Sequence, residues 1–163
     1  MLSPVPQFTR SLKALSAILD KAEAHCAAKK IDPSVIVTAR LFPDMLPFAV
    51  QIGIACDHAK GATARLSGRE VPSFNDPMTS FAELQTRIAQ TMAFIATVPD
   101  GEFADADGRS ISLKVGGTDM MFPGAAYFAG FALPNFYFHM TTAYNILRMS
   151  GVELGKRDFI GAP

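Results

Sequence analysis

Four stretches of the chain carry apolar residues at the three- and four-residue spacing of a helix face. The first follows Pro4 and Pro6: Phe8, Leu12, Leu15, Leu19, Ala22 and Cys26 form one stripe, with Lys13, Lys21 and Glu23 off it. It should stop before Asp32-Pro33, because the residue preceding a proline resists the α conformation. The second runs from about Met45 to Leu66, with Met45, Phe48, Ile52, Ala55, Ala59, Ala62 and Leu66 on its stripe and Asp44 placed to cap it. The third begins at Thr79 or Ser80, carries Phe81, Leu84, Ile88, Thr91, Ile95 and Val98, and ends before Pro99. Glu83 stands where a capping box from Ser80 needs it. The fourth starts near Pro134 and ends at Gly151, with Phe136, Met140, Ala143 and Leu147 inward. The residues after Gly151 read as an irregular tail.

Between the third and fourth stripes the period changes. ISLKV and DMMF alternate on either side of Gly116-Gly117-Thr118, which predicts a small β-hairpin before the last helix. Such a hairpin is marginal alone and should pack on the bundle or on a second copy. The prediction is therefore an all-α, up-down four-helix bundle with a hairpin, forming one domain over 1–163. From Met120 to Leu147 there is no Lys, Arg, Asp or Glu, and Phe and Tyr are dense. That length meets the threshold for a membrane span. Pro123, Gly124, Gly130, Pro134 and Asn135 interrupt it, however, and no basic cluster flanks it, so it reads as the inner wall of the bundle.

Composition narrows the function classes. The 163 residues are 49% hydrophobic and 18% charged, with 15 basic against 15 acidic side chains. No basic stripe offers itself to nucleic acid or to an anionic membrane. Zero net charge with surplus apolar surface suggests a homodimer. Cys26 and Cys56 lie on apolar faces and read as buried free thiols. The first residues lack the pattern of a secretory signal, which points to a cytoplasmic protein.

Nucleophile, P-loop and dinucleotide motifs are absent. Asp100, Glu102, Asp105 and Asp107 lack the spacing of a calcium loop. Candidate chemistry gathers instead on the second and fourth helices. Asn135, His139 and Thr142 share one side of the last helix, and Gln51 and His58, seven apart, share one flank of the second. Two arrangements follow. In one, a cavity walled by Phe136, Tyr137 and Phe138 holds a catalytic or ligand site around His139. In the other, Gln51, Asn135, His139 and Tyr144 form a hydrogen-bonded polar cluster in the core.

Two blocks, RLFPDMLPFAVQIGIACDHAKGATARLSG and NFYFHMTTAYNILRMSGVELGKRDFIG, resemble the DUF1993 family. That family is similar to the DinB/YfiT-like four-helix bundle proteins, a superfamily of metal-dependent enzymes. The resemblance implies a divalent metal such as zinc or nickel, held by one histidine on helix two and by H-x-x-x-H on helix four. Aligning Leu147, Arg148 and Gly151 with the end of that motif puts one helix-four ligand on His139 and the other on Asn135. The helix-two ligand falls near Gln51. His139 is the one histidine retained, so the metal position is degenerate. The implied readings are a small-molecule-binding or dimerising protein, or else a metal-dependent transferase or isomerase using a low-molecular-weight thiol.

Overall fold

A computed structural model of the chain describes residues 1–161. All four stripes form helices except at Met45 and Val98, which lie just outside them, and the stripe residues are buried apart from Met45, which is half-buried. Helix α1 spans Val5–Lys29 and is stopped by Lys30, which turns left-handed at φ 55°. A short α2, Pro33–Val37, follows in what the sequence presented as a connector. Asp32 caps it, its carboxylate accepting from the Ser34 amide at 2.9 Å. Helix α3 spans Phe48–Ser67, and α4 spans Phe81–Ala96. Strands β1 (Ser110–Val115) and β2 (Thr118–Pro123) pair antiparallel around Gly116-Gly117. Both glycines have positive φ, 56° and 86°, as this tight two-residue turn requires. A helical run then continues through α5 (Gly124–Tyr127), a π-turn (Phe128–Ala132) and α6 (Leu133–Met149).

Some boundaries move from expectation. Helix α3 starts at Phe48, not Met45, and Asp44 does not cap it; Pro47 stands at the cap position in extended backbone. Leu46 precedes that proline and so cannot be helical. The Phe48 amide is satisfied instead by the Ala39 carbonyl, at 2.8 Å. At α4 the Ser80 hydroxyl accepts from the Glu83 amide as expected, while the Glu83 carboxylate reaches one residue further back, to the Thr79 amide at 2.7 Å. The tail is not wholly irregular. Lys156–Ile160 forms α7, tied to α1 by a Lys21–Asp158 ion pair at 2.7 Å and by Arg10 donating to the Ile160 carbonyl.

Side-chain pairs give the direction of each helix. Phe48 meets Phe81, Cys56 meets Thr91, and Arg69 meets Thr97, so α3 and α4 run the same way. Gln51 pairs with His139 and Arg65 with Tyr127, so α6 runs against α3. Phe8 packs edge-on against Phe136 at 5.0 Å and His25 lies beside Gly151, so α1 runs with α6. The expected four-helix bundle is present, but its order is up-down-down-up, not alternating. The chain rises in α1, descends twice in α3 and α4 because the strap carries it back between them, and rises again in α6. Residues 69–79 make the return, lying as an extended strap along α3 with Phe74 over Lys60 and Met78 against Gly53.

The hairpin packs by one face only, that of Ile111, Leu113 and Phe122. Ile111 is buried, whereas Met121 is 73% exposed. Just after β2, Gly124 sits so close to the Ala106–Gly108 turn that a Cβ there would lie 1.8 Å from the Ala106 carbonyl oxygen. The charge-free run is thus divided between an exposed strand, a π-turn and a core helix. Among the described residues no helix is long and apolar enough to cross a membrane.

Candidate functional site

The polar candidates meet where α3 faces α6. His139 Nδ1 lies 2.7 Å from Gln51 Oε1. Gln51 is buried, and its amide nitrogen donates to the Leu46 carbonyl at 2.9 Å. That second bond fixes the amide orientation: Oε1 faces the ring and can only accept. Nδ1 of His139 therefore carries the proton, and its Nε2 keeps a lone pair. The extended backbone before α3, imposed by Pro47, is what leaves the Leu46 carbonyl free to hold Gln51.

His58, two turns along α3, stacks beside His139 with ring centroids 6.0 Å apart and planes 14° apart. Its other neighbour is Phe131, at 5.8 Å. Phe131 and His139 are eight residues apart, which on a regular α-helix would separate them by about 80°. The π-turn resolves this. The Leu133 amide bonds to the Phe128 carbonyl five residues back, and the run absorbs one extra residue there. The two side chains then behave as if seven apart and both reach His58. Pro134, which has no amide hydrogen to give, follows directly.

Burial pushes the His58 pKa down to about 4, with the neighbouring His139 and Arg65 acting the same way and Asp57 opposing. Burial also holds His139 below the usual histidine value. Both rings are neutral at pH 7. Arg65 donates to the Tyr127 hydroxyl at 3.2 Å, and Tyr127 stacks on Phe131, which in turn lies beside Phe122. The result is two neutral imidazoles on an aromatic wall, with one guanidinium at its end. Such a surface can accept hydrogen bonds from a ligand and receive its apolar part. The neutral rings are weak bases.

Other expected members stand elsewhere. Asn135 lies on the same helix, but its amide nitrogen donates to the Phe131 carbonyl at 2.7 Å, a bond within its own turn. Tyr144 does not join the cluster: its ring packs edge-on against Phe159 of α7 at 5.7 Å. Five residues beyond His139 it points about 140° away around the helix. Phe136 and Tyr137 do not wall the site either. Phe136 packs on Phe8, and the Tyr137 hydroxyl accepts from Gln7, both on α1. Only Phe138 lies beside His139, at 5.2 Å and 57% exposed. The aromatic wall is Phe122, Tyr127 and Phe131, which the stripe missed because Phe122 lies on β2, Tyr127 precedes the π-turn and Phe131 lies within it, where the period breaks. Arg65 could have been found, since it lies seven residues past His58 on the same flank.

The donor set does not fit the three-ligand metal centre implied by the resemblance. The Gln51 oxygen is committed to His139, an amide stands at Asn135 where the motif has an imidazole, and no group of three His, Cys, Asp or Glu converges among the described residues.

Helix directions, the late hairpin and the α3–α6 site together define a DinB-like four-helix bundle. The chain superimposes on the crystal structure of a DinB family member protein from Shewanella denitrificans with a TM-score of 0.89. The two are 41% identical, over 98% of this chain and 90% of that one. Residues 3–160 match the family described as "Domain of unknown function (DUF1993)", and the chain belongs to it. No curated protein matches it.

Proposed function

We propose that this protein binds a small molecule at the α3–α6 face, through hydrogen bonds to His58 and His139 rather than through a three-histidine metal centre. One observation carries this reading: the Gln51–His139 bond, with Gln51 itself anchored on the Leu46 carbonyl. Where a helix-two ligand would stand, an amide oxygen instead orients the imidazole and leaves its Nε2 available. The ligand class that suits the site has an O–H, N–H or S–H donor and an apolar body that lies on Phe131.

The test is a thermal-shift screen of alcohols, amines and low-molecular-weight thiols, together with metal analysis of the native protein. His139→Gln keeps an acceptor and should retain binding of any hit, whereas His139→Ala should lose it. Stoichiometric metal in the native protein, absent from His139→Ala, would overturn the reading. That result would favour the metal-dependent, thiol-using enzyme, for which the adjacent neutral imidazoles speak. A cytoplasmic homodimer is part of the proposal. It is supported by zero net charge and by the exposed Phe42, Met121 and Phe138, and sedimentation as a monomer at micromolar concentration would remove it.

A further inference from the structure

On another face of α3, under the strap, two cations are almost wholly buried. The side chains of Lys60 and Arg87 are 6% and 5% exposed, and both turn to the single carboxylate of Asp57, at 2.9 and 3.8 Å. Asp57 is 54% exposed and so spends much of its charge on water. The ring of Phe74 lies over both cations, 4.4 Å from Lys60 Nζ and 5.6 Å from the Arg87 guanidinium carbon. An aromatic face offsets part of the cost of such burial but accepts no hydrogen bond from these groups. Arg87 Nε remains buried with no hydrogen-bond partner among the described residues. Beside Lys60 lies an open pocket of about 470 Å³, lined by Val71, Ser73, Phe74 and Asn75 of the strap and bordered by Arg65. Among the described residues Asp57 is the only carboxylate lining it.

Buried cations are ordinarily matched by acceptors, because desolvation outweighs a shared and distant partner. Here Lys60 and Arg87 face one half-solvated carboxylate, and Arg65 adds a third positive charge at the cavity rim. We propose that this cavity is a binding site for a small oxyanion, a phosphate or a carboxylate, which supplies the missing negative charge. Lys60 donates to it from the cavity wall, Arg65 approaches from the rim, and Arg87 acts behind Lys60 as a fixed positive charge. The site is centred away from the Gln51–His139 pair, although Arg65, which also donates to Tyr127, borders both, and its ligand need not be that of the α3–α6 face. Because Phe74 lies in the strap, occupancy would also pin the strap against α3.

The experiment is calorimetric titration of the full chain with inorganic phosphate and, separately, with succinate, against potassium chloride at matched ionic strength. Saturable binding of either is expected, and which one binds identifies the source of the oxyanion. Lys60→Met keeps the stem and removes the charge. It should weaken binding by about tenfold or more, the effect of losing one charge-assisted hydrogen bond, while the surface variant Lys21→Met should not. No saturable binding to either anion, or unchanged affinity in Lys60→Met, overturns the proposal. Should Lys60→Met fail to fold, amide chemical shifts of the unmodified protein decide. Phosphate- or succinate-dependent shifts at 57–60 and 73–75 support the site, and their absence there overturns it.

Discussion

Lowering the pH from 7 to 5 should cost this protein about 2 kcal/mol of stability through His58 alone. In the unfolded chain the imidazole takes up its proton near its ordinary value of 6.5, whereas in the folded protein it does so at about 4. Below 6.5 the unfolded state therefore binds more protons than the folded one, and stability falls as the pH drops until the folded ring protonates as well. The full gap is worth about 3.4 kcal/mol at 1.36 kcal/mol per unit, and about 2 kcal/mol of it is lost between pH 7 and pH 5. His139, also lowered by burial, adds in the same direction. Glu83, Glu102 and Asp158 are held below their ordinary values by hydrogen bonds, so they stay ionised through this window and contribute little. Urea unfolding followed by circular dichroism at pH 7, 6 and 5 measures the slope. His58→Gln cannot titrate, and the difference between its stabilities at pH 7 and pH 5 should shrink by about 2 kcal/mol. If the unmodified protein and His58→Gln show the same pH dependence, the ring is not desolvated against His139 and Phe131 as described.

Two further predictions concern single sites. Gly124→Ala should destabilise the protein by about 3 kcal/mol, because its Cβ meets a backbone oxygen that cannot give way. Gly130→Ala, with nothing within 4 Å, should be neutral or stabilise by up to about 1 kcal/mol. Equal urea midpoints for these two variants would refute the close approach at Ala106. Cys56, whose thiol burial pushes up to about 12, should stay unmodified by a thiol reagent at pH 8 until urea unfolds the chain. Labelling in native buffer at the rate of an exposed thiol would contradict its burial.

Much of the fold was readable because burial imposes a period. Phe8 to Cys26, Phe81 to Ile95 and Phe136 to Leu147 each keep one regular helix geometry, so apolar spacing and inner face coincide. The Gly116-Gly117 turn was equally legible, since two consecutive positive φ angles almost demand glycine. What escaped lies where the period fails. The π-turn adds a residue that no stripe anticipates, which hid Phe131 from the site, whereas Phe136 and Tyr137 were grouped with His139 by adjacency alone although both turn toward α1. Tyr144 was grouped with His139 by polarity alone, although five residues on a helix turn it away. The Gln51–His139 pairing was foreseeable from two flanks. Its role as an orienting bond depends on the Leu46 carbonyl, which only the extended backbone before Pro47 leaves free.

Helices α3 and α4 point the same way, so residues 69–79 must act as a ruler as well as a cover. Between Gly68 and Ser80 there are twelve Cα steps, a reach of about 40 Å when drawn out, against roughly 30 Å for the 20 residues of α3. The slack is about three residues. Relatives of this chain can gain residues in that segment at little cost, but they cannot shed more than a few before the third helix is dragged out of step with the second.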